Sequence, residues 1–288
     1  MATTPNGTVY SGTSFTNSVG EQCIYVVSDA VKTTADVPLV IYCHGAGGAY
    51  NQFLTLGAWA GIRNWLIDNG WAWVEGAGGG AQPWGNPASI ASYRAAYDHV
   101  ASVMDIGDVV PFGRSMGGLP AISLYLLDPV ISGKSVGLVE NSGVQNLAAA
   151  YASGSWTSAM RTAYGASSDA TFTANSEGSD PMTFAASLWN GKTVLQLVGD
   201  ADTTVPPADH GYAMRTRYAG RPTNDLLDVR AGGDHSSTNG SYLQTNAMVE
   251  FFSLVHSTEP PPDPVSYKIL EAYRVGADRK LFPMDPWA

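Results

Sequence analysis

Short apolar runs, each closed by glycine, proline or asparagine, alternate along this chain with stretches whose apolar residues recur every third or fourth position. The first pattern belongs to buried strands, the second to helices that turn one face to a core. Residues 8–10 and 22–27 read as strands joined by a Ser/Thr/Asn-rich loop. Residues 37–43 read as a fully buried strand that stops at His44-Gly45-Ala46-Gly47-Gly48. Over residues 52–68, Phe53, Leu56, Trp59 and Trp65 keep helical spacing until Asn69-Gly70, and residues 71–74 form the next strand.

The clearest helix opens at Asn86-Pro87. Asparagine is a strong N-cap, and proline costs nothing in a first turn whose N–H has no helical acceptor. Ile90, Tyr93, Tyr97, Val100 and Met104 then line one face. Strands are predicted at 108–112, 135–140, 193–198 and 226–229, and helices at 116–127, 208–218 and 242–256. This exchange of strand and helix predicts an α/β fold: a mostly parallel central sheet of about eight strands, covered by helices on both faces. From 142 to 191 the alternation fails, and a composition rich in Ala, Ser, Thr and aromatics predicts an insertion of small helices and loops. Residues 1–257 are thus expected to form one domain, followed by a stiff proline-rich linker at 258–264. The aromatic segment 265–288 is expected to dock on its own domain, on a second copy or on a larger assembly, because its rings would otherwise be exposed.

Charge narrows the field. Only 14% of residues are charged, the net charge is -10, and no cluster of Lys or Arg interrupts it. Nucleic acid and anionic membranes, which need concentrated positive charge, are excluded as expected partners. No apolar run has the length of a membrane span. The first 30 residues show no basic stretch followed by an apolar one, so no secretory signal is expected, and the location is cytoplasmic or virion-associated. Cys23 and Cys43 fall in strands and are expected as buried free thiols; the five histidines are scattered, so no metal is expected.

Four segments carry chemistry. Gly113-Arg114-Ser115-Met116-Gly117-Gly118 lies between a predicted strand and a predicted helix. A turn that sharp strains the serine backbone and leaves no room for side chains two positions either side, which explains the glycines and presents the Ser115 hydroxyl above the sheet. His44-Gly45-Ala46-Gly47-Gly48 supplies a glycine-rich loop whose backbone can approach a reacting oxygen. With the Met116 N–H, one N–H from Ala46 or Gly47 is expected to meet a developing oxyanion. Gly199-Asp200-Ala201-Asp202 follows the strongest late strand; Asp202 is the expected acid, with Asp200 and Glu140 as alternatives. Gly232-Gly233-Asp234-His235 follows the last strand and offers His235 as base.

These segments, in this order, resemble the α/β-hydrolase superfamily from about residue 38 to 255, and within it the serine esterases with an HGxGG loop and a GxSMGG elbow. The resemblance implies hydrolysis of a carboxylic ester through an acyl-enzyme, without cofactor, and a cap formed by the insertion at 142–191. Trp84, Asn86, Tyr50, Phe53 and Trp189 are the candidate pocket residues. Arg114 departs from the residues the superfamily often places before the serine, and it can lie buried against a neighbouring acid. Two other readings stand beside the esterase acting on a small-molecule or envelope ester. One is a peptidase or amidase on the same scaffold. The other is a phage tail or surface-assembly protein with an esterase-like domain that acts on, or merely binds, envelope components.

Overall fold

The computed structural model describes residues 1–256; the expectations for the linker at 258–264 and the segment 265–288 lie outside the described residues. The strands are β1 (Ala2–Thr3), β2 (Val9–Thr16), β3 (Gln22–Ser28), β4 (Val37–Cys43), β5 (Ala72–Gly76), β6 (Ile106–Arg114), β7 (Leu138–Asn141), β8 (Thr193–Gly199) and β9 (Asn224–Arg230). They form one sheet in the order β1-β2-β3-β5-β4-β6-β7-β8-β9. β1, β2 and β3 pair antiparallel and β3 runs antiparallel to β5; from β5 to β9 every pairing is parallel. The sheet is thus one strand larger than the sequence predicts, the addition being the two-residue β1 at the edge. β2 is also longer than its predicted span. Its Ser and Thr residues, which read as loop, sit on an edge hairpin, with Ser14 and Thr16 exposed and Ser11 and Thr13 half-buried.

The helices are α1 (Gln52–Thr55), α2 (Ala60–Asp68), α3 (Pro87–Val103), α4 (Gly118–Leu126), α5 (Ile131–Lys134), α6 (Leu147–Ala152), α7 (Thr157–Ala163), α8 (Asp169–Asn175), α9 (Gly211–Arg217) and α10 (Thr245–Val255). Alternate residues of β4 show why two helical layers are needed. Leu39, Ile41 and Cys43 join one apolar cluster with Tyr93, Tyr97 and Val100 of α3 and Ile122 and Leu124 of α4. Val40 and Tyr42 join another with Leu66 of α2 and Met248, Phe251 and Phe252 of α10. Each such buried aliphatic side chain contributes about 1.5–3 kcal/mol, and a strand apolar on both faces is stable only between two such layers. The N-terminus of α3 is built as its sequence requires: the Asn86 side chain accepts from the Ser89 N–H and Pro87 occupies the first turn.

Between β7 and β8 the chain forms α6, α7, α8 and two 3₁₀ turns. Leu147, Ala150, Met160, Tyr164 and Phe172 from this stretch close over Trp84, Met116, Leu119 and Val205 in a third apolar cluster. Both cysteines are buried free thiols. Among the described residues no helix is long and apolar enough to cross a membrane.

Candidate active site

Ser115 stands where β6 ends and a 3₁₀ turn leads into α4. Its φ is 51°, a left-handed backbone that costs a serine of order 1–3 kcal/mol. The surroundings leave the chain no alternative. A Cβ on Gly113 would sit 2.6 Å from Gly118 Cα, and one on Gly117 would collide with the Cys43 and His44 carbonyl oxygens. The Ser115 carbonyl accepts from the Val144 N–H at 2.7 Å, which ties the turn to the loop after β7.

The hydroxyl of Ser115 meets His235 Nε2 at 2.8 Å, and His235 Nδ1 meets Asp202 Oδ2 at 2.6 Å. Asp202 Oδ1 accepts from the N–H groups of Thr204 and Val205, each at 2.9 Å. Burial opposes ionisation of Asp202, but the His235 hydrogen bond and charge, with those two amides, outweigh it and hold the carboxyl below the usual range. The loops bearing Asp202 and His235 are joined. Asp200 Oδ1 accepts from the Gly232 N–H at 2.6 Å, and the Ala201 N–H donates to the Gly233 carbonyl at 2.9 Å. Asp200 is therefore a loop fastener, and Asp202 is the aspartate that reaches the imidazole.

Glu140, the other acid weighed from the sequence, ends in a dry place. It is fully buried, neither oxygen has a partner, and its carboxyl packs beside Gly118 and Gly143 under the start of α4. Burial pushes its pKa well above the ordinary carboxyl value. A neutral acid there has no contact with His235.

The glycine-rich loop after β4 is held by its own hydrogen bonds. Gly45 N–H donates to Gln52 Oε1 at 3.1 Å, Gly47 N–H to the Ala81 carbonyl at 2.8 Å, and Gly48 N–H to the Gly45 carbonyl at 2.9 Å. His44 spans the Gly45 and Ala77 carbonyls with its two ring nitrogens. Among the described residues, the Ala46 and Met116 N–H groups are left without a protein acceptor. Of the two loop amides expected from the sequence, Gly47 is thus committed elsewhere, and Ala46 is the one free to donate. Gln52, which the sequence does not single out, fixes this loop by accepting also from Tyr42 Oη at 3.0 Å.

The candidate pocket residues fare differently. Trp84 is buried at φ 51° in the apolar cluster beside Met116, its ring 5.4 Å from Trp156, a half-buried residue from the β7–β8 stretch that also packs in this cluster with Ala46. Trp156 had no signal in the sequence beyond its ring. Asn86 spends its carbonyl on capping α3 and donates to the Ala163 carbonyl at 2.7 Å. It lines a cavity of about 430 Å³ with Gly79, Gln82, Ala159, Thr162 and Ala163, and none of Ser115, His235 or Asp202 touches that cavity. Tyr50 is half-buried on the α1–α2 side. Phe53 and Trp189 are core: Phe53 stacks on Tyr42 at 4.6 Å, and Trp189 packs against Tyr218 at 4.6 Å, because the 3₁₀ turn Ala186–Trp189 points its ring under the sheet's helical layer. Among the described residues Arg114 meets no acid; its guanidinium lies 4.5 Å above the Tyr242 ring. Among the described residues no group of three His, Cys, Asp or Glu side chains could hold a metal ion.

No protein-family model and no curated protein matches the sequence. Solved structures do match. A puromycin-hydrolysing peptidase of Mycobacterium tuberculosis superposes with a TM-score of 0.66 at 17% identity, over 91% of this chain and 42% of that one. An esterase of Pyrococcus furiosus gives 0.59 at 17% identity, over 86% and 93%. A prolyl endopeptidase gives 0.65 at 14%, over 85% and 38%. The fold is that of the α/β-hydrolases. The chain spans about two fifths of the length of the peptidases it matches and most of the length of the esterase. In this fold the turn from the central strand β6 into α4 carries Ser115.

Proposed function

We propose that this chain is a serine hydrolase that cleaves carboxylic ester bonds through an acyl-enzyme. The observation that carries the reading is the continuous pair of hydrogen bonds from Ser115 through His235 to Asp202, at 2.8 and 2.6 Å, with the serine on a strained turn. His235 Nε2 takes the hydroxyl proton as Ser115 Oγ attacks the ester carbonyl, and Asp202 stabilises the imidazolium so formed. The charge gathering on the carbonyl oxygen falls to the Ala46 and Met116 amides, which have no protein acceptor to give up. The tetrahedral intermediate expels the alcohol with the proton from His235; water, activated by the same nitrogen, then releases the acid and regenerates Ser115.

A peptidase reading is supported by the peptidases among the similar structures. The esterase reading is preferred because the described chain matches the esterase over nearly all of that protein's length.

Intact mass after treatment with a small neutral fluorophosphonate, with peptide mapping, tests the hydrolase reading. One adduct on Ser115, absent from Ser115→Ala and slowed in His235→Ala, is expected. A folded wild-type chain that takes up no label would refute it. Matched ester and amide substrates then separate esterase from peptidase.

A further inference from the structure

Arg114 is the one arginine of the described residues that donates no hydrogen bond. Every other one reaches a carboxylate, a carbonyl or an amide oxygen. Arg114 Nε is buried without an acceptor, and so is the hydroxyl of Tyr242, the ring on which the guanidinium rests. Native interiors leave few polar groups in this condition. A ring face offsets only part of the cost of drying a cation. Carboxylates are not scarce in a chain of net charge -10, yet among the described residues none comes within ion-pair distance of this group.

Its position gives the missing counter-charge a place. A Cβ built on Gly45 would lie 2.6 Å from Arg114 Nη1 and 3.3 Å from Ser115 Cβ. The guanidinium therefore shares one small space with the nucleophile of the proposed reaction and with the loop that presents the Ala46 N–H, and it does so because residue 45 has no side chain. Of the three guanidinium nitrogens only Nε is both buried and unbonded, so the terminal nitrogens, which donate to no described group, are not wholly shut from solvent. They form a planar fork of donors suited to a carboxylate.

We infer that Arg114 anchors an anionic group of the substrate, so that the ester taken here carries a carboxylate a few atoms from its scissile carbonyl. The inference rests on the serine hydrolase reading above. It makes Arg114 a specificity residue that touches substrate, and it accounts for a half-paired cation one position from the nucleophile.

Benzyl hemiglutarate and benzyl pentanoate present similar esters with and without a terminal carboxylate. The wild-type chain is expected to favour the hemiglutarate by about ten- to a hundredfold in kcat/KM, chiefly through KM, and free glutarate to inhibit competitively. Arg114→Gln is expected to bring the ratio of the two kcat/KM values close to one, and Arg114→Lys to keep part of the preference. A wild-type ratio near one overturns the proposal. So does a ratio that Arg114→Gln leaves intact while both esters slow together, the mark of a purely structural cation. If Arg114→Gln does not fold, the wild-type ratio and glutarate inhibition decide by themselves. Fluorophosphonate labelling of the wild type, run alongside, separates the two failures. Without an adduct on Ser115 the hydrolase reading falls and takes the anchor with it; with an adduct and no anion preference, only the anchor falls.

Discussion

Asp202 holds His235 by a single contact of 2.6 Å to Nδ1, while its second oxygen takes the Thr204 and Val205 amides. The carboxylate cannot swing without giving up two backbone hydrogen bonds, so the imidazole is kept with Nε2 towards Ser115. Asp202→Asn preserves the amide contacts through its carbonyl oxygen but sets an NH₂ group against Nδ1, which reverses the tautomer. Turnover should fall by about 10³–10⁴-fold with the melting temperature little changed; ester hydrolysis rates and thermal melts on the same preparations check both halves.

The φ of 51° at Ser115 is a stored cost that glycine would not bear. Ser115→Ala removes the hydroxyl and keeps the strain, whereas Ser115→Gly removes both. The glycine variant should be the more stable of the two by about 1 kcal/mol, a melting temperature about 2–4 °C higher. Equal melting temperatures would show that the turn carries no strain.

Gly117 has backbone where its side chain would go, against the carbonyls of Cys43 and His44. Neither carbonyl can retreat without moving β4. Gly117→Ala is expected to destabilise the fold by about 1–3 kcal/mol and to abolish labelling of Ser115 by disturbing the Met116 amide. Urea unfolding and adduct formation measure the two effects.

His210 provides a pH test independent of activity. It is buried, and its Nδ1 accepts from the Gln145 and Asn146 N–H groups at 3.3 Å. Burial pushes its pKa from 6.5 down to about 4, against the pull of Asp209, Asp202 and Asp180. The folded chain therefore holds the neutral ring while the unfolded chain takes a proton near pH 6.5. Stability from this residue is whole above that pH and is lost as pH falls towards 4, by up to about 3 kcal/mol. Denaturant unfolding at pH 7.5 and 4.5 should show a larger loss for the wild type than for His210→Gln, whose side-chain oxygen can accept from the same amides.

The sequence is most legible where backbone geometry dictates composition. Only glycine fits at 113 and 117, so the Ser115 turn is visible as letters, and the order of Ser115, Asp202 and His235 follows from the order of the strands that carry them. It is least legible where a side chain chooses between partners distant in the chain. Arg114, for which the sequence allows a neighbouring acid, lies on Tyr242, a residue 128 positions later whose approach depends on the loop after β9. Trp189 is a candidate pocket residue in the sequence and a core ring in the fold, because nothing local in the chain distinguishes the two. Gln52 and Ala46 were indistinct for the same reason. Which loop amide stays free depends on where the Gln52 side chain and the Ala81 carbonyl land, and neither follows from periodicity.

The fastening of the β8 loop to the β9 loop separates two layers of the fold. Asp200 and Ala201 grip Gly232 and Gly233 directly, so the loops of Asp202 and His235 are held to each other. Among the described residues, no hydrogen bond holding Ser115, His235 or Asp202 comes from residues 147–191. The helices α6, α7 and α8 can therefore change length without breaking any hydrogen bond of these three residues. If the proposed reaction holds, its substrate range is set by a layer that does not hold its reacting groups.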